Sequence, residues 1–369
     1  VVRYKARLVG KGFTQQPGIH YDETYSPVMD STTFRYLIGF AIFRKLKMRQ
    51  LDVATAYLYG TLDTCLYMRS PPELEERRRA LAQGATSHIP YLHKIINQIP
   101  NVTPHVSSTH VNHHKDTSVS TVRHTRRGLA IRVLKALYGL KQSGRVWYQR
   151  FTDEMISMGF SHDVITPCLF IKHVDDEYVI VSIYVDDLNI FGTPQITEDT
   201  ITRLKTTFEM KDLGHTNFCL GLQLEILPTG MMLHQTTQTE KILKQFNMNL
   251  AHPLTSPMVV RSLENNTDVF RKREEHEPLL GPETPYLSAI GALMYLANQT
   301  RPDIAFAVNL LARHSATPTA RHWNGVKHVF RYLRGTTDTG LFYPFGTNHE
   351  LTGYADAGYL SDTDTAKSQ

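Results

Sequence analysis

Apolar and polar positions alternate differently in successive stretches of the chain. Near the start, Arg3, Lys5 and Arg7 interleave with Tyr4, Ala6 and Leu8, a period of two that predicts a strand with one basic face. Gly10, Gly12, Pro17 and Gly18 then supply loop chemistry. From Ser31 to about Lys47, Phe34, Leu37, Ile38, Ala41 and Ile42 fall at helical spacing behind a Ser/Thr cluster suited to capping, and a short strand is expected at 51–53. Residues 74–130 keep no apolar period: Arg77, Arg78 and Arg79 adjoin, and His88, His93, His105, His110, His113, His114 and His124 are scattered. This stretch reads as a loop or an insertion. A helical pattern around 146–158 then leads to strand candidates at 168–172 and 178–185, the second running past two aspartates into 188–191. That is the outline of a β-hairpin with an acidic tip.

The last third is expected to be mostly helical. One stripe holds Leu287, Ile290, Leu293, Met294 and Ala297, a second Ile304, Val308 and Leu311, a third Val326, Val329, Phe330 and Leu333. Pro302 and Pro318 stand where first helical turns begin, and Gly335 is a stop signal. Residues 351–355 look like the opening strand of another unit.

Composition narrows the class. With 369 residues, 41% hydrophobic and 20% charged, the chain is ordinary globular protein of two or three packed units, which excludes disorder as the whole answer. Cys65, Cys168 and Cys219 are too few and too scattered for a disulfide framework or a sulfur-based zinc site, so a reducing compartment is the default. Apolar runs such as 179–185 fall short of the roughly 20 residues a membrane helix needs, and no leader pattern opens the chain. A soluble protein with no visible address, not a membrane protein, is expected. Because it opens on Val1 and stops mid-segment at Gln369, it is expected to be a piece of something longer.

Net charge is +5, from 40 Lys and Arg against 35 Asp and Glu. Residues 77–136 hold ten Lys or Arg and one acid, so the basic excess belongs to the aperiodic stretch and the rest of the chain is mildly acidic. Residues 1–49 are the other basic region, nine Lys or Arg against three acids, which suits an anionic partner.

The chemistry concentrates in Tyr184-Val185-Asp186-Asp187, flanked by strand-like apolar residues. Adjacent carboxylates repel unless solvated or bound to cations, so two at the end of a buried hairpin point to a divalent metal; a polar turn is the competing reading. Asp52 lies inside the apolar stretch Gln50-Leu51-Asp52-Val53, where an unpaired charge is costly. Either a strand-end cap or salt bridge satisfies it, or it shares a metal with Asp186. Three carboxylates clamping two metal ions are the machinery of in-line phosphoryl transfer. Tyr57 is either a core ring or a wall against a nucleotide sugar that excludes a 2′-hydroxyl.

Five ordered motifs carry a family resemblance: Lys5-Ala6-Arg7-Leu8-Val9 with Lys11-Gly12-Phe13, Leu51-Asp52-Val53, Leu137-Tyr138-Gly139-Leu140-Lys141-Gln142-Ser143, Tyr184-Val185-Asp186-Asp187 and Met210-Lys211-Asp212-Leu213-Gly214. Together they resemble a copia-type retrotransposon reverse transcriptase. The similarity runs on through Gly291-Ala292-Leu293-Met294-Tyr295-Leu296, Thr300-Arg301-Pro302-Asp303-Ile304 and Arg331-Tyr332-Leu333-Arg334-Gly335-Thr336. The resemblance implies an α+β right-hand polymerase: an antiparallel palm sheet with helical fingers and thumb, followed by a helical connection and a truncated ribonuclease H-like start. Its implied boundaries are 1–225 for fingers and palm, with the irregular insertion at about 74–130, then 226–345 and 346–369.

The implied activity is RNA-directed DNA synthesis onto a primer 3′-hydroxyl, with an RNA or DNA template, dNTPs and two Mg²⁺ ions, Mn²⁺ substituting. Asp52, Asp186 and Asp187 would be the catalytic metal ligands, and Lys5 or Arg7 would contact the triphosphate. Tyr57 would gate the sugar, and Tyr138, Gly139, Lys141 and Gln142 would face the nascent base pair. The resemblance implies a cytoplasmic particle or the nucleus as the place of action, with no targeting signal visible in the sequence. Asp356 in Gly353-Tyr354-Ala355-Asp356-Ala357 is similar to a ribonuclease H metal ligand, but that site needs later carboxylates, so no ribonuclease H activity is expected of this polypeptide. Two departures stand out: Gly144 replaces a Pro usual in the family, loosening that loop, and the connection at 74–130 is longer and less patterned than in relatives. A retained intron or a frameshift would explain the second. The alternative function is therefore a catalytically inactive remnant that at most binds nucleic acid.

Overall fold

The computed structural model describes residues 7–71, 122–125, 128–258, 270–346 and 353–355. Within them the chain is mixed α and β with antiparallel sheets. Two compact units interleave along the sequence: one holds the described residues up to Val28 and Val53–Pro167, the other Met29–Asp52 and those from Cys168 onward.

The second unit is built on a sheet in which strands Leu169–Val174, Glu177–Tyr184, Asp187–Gly192, Lys47–Val53 and Met210–His215 lie side by side in that order. Its middle strands read as continuous apolar runs because both faces are covered: Val179, Val181, Leu188, Ile190 and Leu51 are fully buried. Helix Ser31–Phe43 covers one face through Phe34, whose ring centroid lies 6.3 Å from that of Phe191. The cap is Asp30, which accepts from the backbone N–H of Thr32 and Thr33 at 2.8 and 3.0 Å, so Ser31 is already helical. The helix stops four residues short of the expected Lys47. Lys45 takes φ 54°, Leu46 N–H donates to Ala41 O and Lys45 N–H to Ile42 O, a Schellman close that turns the chain straight into the next strand. Arg49 ties that strand to Glu198 at 2.9 Å and to Asp212 at 2.6 Å, and Lys205 reaches Asp212 at 2.8 Å.

A second sheet of the same unit joins Phe218–Cys219, Leu222–Leu227, Gly230–His234 and Gly340–Pro344; its last two strands lie in the region expected to be helical, its first two mostly in the expected palm. Its strands are short, and Leu222-Gln223-Leu224-Glu225-Ile226 alternates apolar with polar positions, a period of two over five residues. The boundary expected at 225 falls inside strand Leu222–Leu227. The helical core comes from Thr236–Gln245, Tyr286–Gln299, Ala305–Ala312 and Ala320–Gly335, with Leu293, Ile304, Val308, Leu311, Val326, Phe330 and Leu333 buried as expected. One stripe is shifted: Leu287 is 70% exposed, and Tyr286, Ala289 and Leu296 take its place inward. Arg301, only 1% exposed, pairs with Asp303 and donates to both oxygens of Thr336, while Tyr332 Oη–H donates to Asp303. The Thr300–Ile304 and Arg331–Thr336 motifs are thus joined in one network around the buried Arg301.

The first unit joins strands Thr61–Arg69, Gly128–Lys135 and Val122–Thr125 into a sheet. Helix Ser143–Ser157 buries Val146, Trp147, Phe151 and Met155. The aperiodic stretch expected to reach Ala130 is corrected at its end, because Val122–Thr125 and Gly128–Lys135 already form a hairpin there. The rest of it, 74–121 and 126–127, lies outside the described residues, as do Lys5 of the expected first strand and Asp356. Described residues 7–11 and 353–355 form no strand.

Candidate active site

Strand Lys47–Val53 runs antiparallel to Asp187–Gly192 with Asp52 directly opposite Asp187. On the other side Tyr184 pairs with Asp187, leaving Val185 and Asp186 as the entire turn. The acidic tip is therefore divided: Asp186 sits in the turn, whereas Asp187 is the first residue of the returning strand. Directly opposed side chains stand about 4.5–5.5 Å apart at Cβ, and like charges in that position destabilise the pair. All three carboxylates are partly buried. Burial raises the Asp187 pKa above the usual carboxylate value, the charges of Asp186 and Asp52 add to the rise, and a hydrogen bond from Gln50 works against it. Val185 adopts φ 58°, a left-handed value that costs a β-branched residue about 1–3 kcal/mol. Strain of this kind gathers at functional sites because the surrounding pairing must enforce it.

An amide-rich row lies one step further into the sheet. Gln50 pairs with Asn189, and Asn189 with Ser182. All three are buried. Asn189 Nδ2 donates to Cys219 Sγ at 3.1 Å, and Asn189 Oδ1 is buried with no hydrogen-bond partner. Burial pushes the Cys219 thiol up to about 12, and the Asp187 charge adds to it. Gln50 and Asn189 were not among the residues expected at the site. Their signal was a polar residue two positions from each strand carboxylate, on the same face of an otherwise apolar strand.

The oxygen-only donor set, with carboxylates pressed together at a cost a cation would offset, fits a hard divalent ion. Among the described residues, however, no group of three or more His, Cys, Asp or Glu side chains stands close enough to hold an ion as placed.

The residues expected at the nucleotide belong to the first unit. Tyr57 and Tyr138 rings lie 4.5 Å apart at 45°, and the Arg7 guanidinium stands 5.5 Å from the Tyr138 ring. Thr55 at φ 55° starts the short 3-10 turn Ala56–Tyr59 that carries Tyr57. Gly10 N–H donates to Tyr138 O at 2.8 Å, and Gly139 at φ 93° meets Gly10 so closely that a Cβ there would strike its carbonyl. Gln142 is 1% exposed: its Nε2–H donates to His20 O at 3.0 Å and its Oε1 accepts from Gln15 Nε2 at 3.0 Å. Gln15 Oε1 in turn accepts the Lys141 N–H at 2.8 Å. Gln142 thus acts here as a bracket between two loops, with Gln15 as its unforeseen partner, while the Lys141 side chain is exposed.

Comparison with known proteins follows the same residues. A family model described as "Reverse transcriptase (RNA-dependent DNA polymerase)" matches residues 1–80 and 103–260, so the break spans only 81–102 of the stretch expected as an insertion. The chain is 33% identical over 364 residues to the "Retrovirus-related Pol polyprotein from transposon RE2" of Arabidopsis thaliana, covering 98% of this chain and 21% of that one. The corresponding protein from transposon RE1 of the same plant is 34% identical over 98% of this chain and 21% of its own length. That from transposon TNT 1-94 of Nicotiana tabacum is 33% identical over all of this chain and 24% of its own. The chain thus spans about a fifth of the length of the curated relatives it matches. A solved telomerase from Candida albicans, in complex with a fragment of telomeric RNA, overlaps 85% of this chain and 50% of that one at 12% identity; its TM-score of 0.26 is too low to bear on the fold.

Proposed function

We propose that this chain, which belongs to the reverse transcriptase (RNA-dependent DNA polymerase) family and to the copia-type Pol polyproteins, extends a primer along an RNA or DNA template by nucleotidyl transfer. The observation that carries this reading is Asp52 opposite Asp187 with Asp186 in the strained turn between strands. In this reading the sheet that bears them is the palm of a right-hand polymerase. Asp52, Asp186 and Asp187 would hold two Mg²⁺ ions, or Mn²⁺, which when bound activate the primer hydroxyl and neutralise the departing pyrophosphate. Asp187 enters with its carboxylate already destabilised by its neighbours, so a cation restores the charge balance.

Tyr57 presents its ring to the sugar of the incoming dNTP, and its tilted contact with the Tyr138 ring helps to hold it. Arg7 over Tyr138 adds cationic charge for the triphosphate. Gly139 lets the loop at 138–142 pack onto Gly10 without a side chain between them.

The inactive remnant is kept as a second reading by one observation, the break in the family match at 81–102. Primer extension on an RNA template separates the two. Mg²⁺-dependent incorporation that disappears in Asp186→Asn is the expected result; no incorporation by well-folded wild-type chain would establish the remnant.

A further inference from the structure

We infer that the aromatic row Tyr36, Phe40, Tyr178 and His173, edged by Arg44 and Lys45, is a nucleic-acid site in its own right: a platform on which the bases of a single strand stack. All six residues belong to the second unit, and none of them takes part in the proposed metal site.

Helix Ser31–Phe43 turns Phe34, Leu37, Ile38 and Ala41 inward. Tyr36 and Phe40, one turn apart, share another side of it, their rings 15° from parallel with centroids 6.3 Å apart. The row continues to Tyr178 at 6.1 Å from Phe40, and then to His173, the cross-strand partner of Tyr178, at 5.6 Å and 27°. Tyr36 is 71% exposed, and Phe43 and His173 are exposed beside it. Single surface aromatics need no explanation, but rings in series across a helix and a hairpin form a contiguous patch, which marks an interaction site.

Charge selects the occupant. Residues 31–51 contain Arg35, Arg44, Lys45, Lys47 and Arg49 and no acid. Arg35 is engaged by the carbonyls of Ser31 and Gln299, Lys47 by Glu198, and Arg49 by Glu198 and Asp212. Arg44 and Lys45 are exposed and form no salt bridge among the described residues. The Arg44 guanidinium stands 5.8 and 5.6 Å from the Phe40 and Phe43 rings. Ring faces bordered by free cations match a base with its phosphate, and stacking of bases on aromatic rings holds single strands whatever their sequence. A duplex keeps its base faces covered and offers only edges and phosphates. Asp175, Asp176 and Glu177 follow His173 in the hairpin turn, so the phosphates run along the Arg44 side. Tyr178 lies six residues from Tyr184 on one strand, about 20 Å from the acidic tip, which separates the platform from the candidate active site.

The test is the fluorescence anisotropy of a labelled oligothymidylate of about 12 nucleotides, titrated with the full chain in chelator so that no divalent ion takes part. Wild type, Tyr36→Ala, Tyr36→Trp, Arg44→Gln and Asp186→Asn are compared, with sedimentation velocity alongside. Saturable binding is expected for wild type and Asp186→Asn, about 10-fold weaker in Tyr36→Ala and retained in Tyr36→Trp. Arg44→Gln should weaken it too and lower the slope of log affinity against log salt by about 0.7. Both side chains are exposed, so neither change opens the core. No binding by the wild type, or wild-type affinity in Tyr36→Ala, overturns the inference. A blunt duplex should bind without dependence on Tyr36; an equal loss there overturns the single-strand assignment. A wild-type dimer that Tyr36→Ala splits into monomers also overturns it, the row then being an interface between two copies. None of these outcomes bears on the polymerase reading, which primer extension by Asp186→Asn tests separately.

Discussion

The Asp187 carboxylate faces Asp52 across the strand pair, follows Asp186 in the chain and is half removed from water. Each of these disfavours its charge, and only the Gln50 hydrogen bond supports it. In metal-free buffer, Asp187→Asn is therefore expected to raise the unfolding free energy by up to about 1 kcal/mol, because it removes a directly opposed like charge. The same substitution is expected to abolish primer extension. Urea denaturation in the presence of a chelator checks the first outcome; an Asp187→Asn chain less stable than wild type would mean that the carboxylate is satisfied in the sheet.

Among elements, the close of helix Ser31–Phe43 shows how a local device sets where a functional residue falls. Lys45 occupies the left-handed position that glycine usually takes, and the strand bearing Asp52 begins two residues later. Its side chain is exposed, so the backbone conformation is the main thing a substitution changes. Lys45→Gly relieves a left-handed L-residue at a cost of about 1–2 kcal/mol while adding unfolded-state freedom worth about half of that, so a net gain of about 0.5–1 kcal/mol is expected. The midpoint of urea unfolding reads it, and a loss of stability would show that Lys45 contributes a contact of its own.

At the scale of the whole molecule, the described residues hold a pH-sensitive pair away from Asp52, Asp186 and Asp187. His314 and His322 stack with ring centroids 4.0 Å apart, both buried, and their Nε2 atoms face Phe270 O and Arg271 O at 2.7 and 3.0 Å. Burial lowers both pKa values, and that of His314 falls from 6.5 to about 4, helped by the charges of His322, Arg313 and Arg321. In the unfolded chain these rings take up protons first. The His314 contribution is thus complete above about pH 6.5 and is lost as the pH falls toward 4, with a limiting slope of about 1.4 kcal/mol per pH unit, and His322 shifts in the same direction. Thermal midpoints should drop between pH 7 and 5, and His314→Gln should flatten the drop; an equal slope in that variant would locate the acid sensitivity elsewhere.

The family and the two key strands were legible in the sequence, because a buried sheet demands long apolar runs and an aspartate interrupting one is conspicuous at any distance from its partners. Helical stripes such as Ile304, Val308 and Leu311 were legible for the same reason: periodicity records one-sided burial. Strand Phe218–Cys219 of the second sheet was not, since two residues carry no period, whereas Leu222-Gln223-Leu224-Glu225-Ile226 beside it does alternate. Nor could the sequence say that Asp52 meets Asp187 rather than Asp186, or that Gln50 and Asn189 share a row, because the register between strands well over a hundred residues apart is set by pairing and packing across the sheet. The sequence by itself determined which residues carry the chemistry; the tertiary structure alone decided which of them face one another, and at what electrostatic cost.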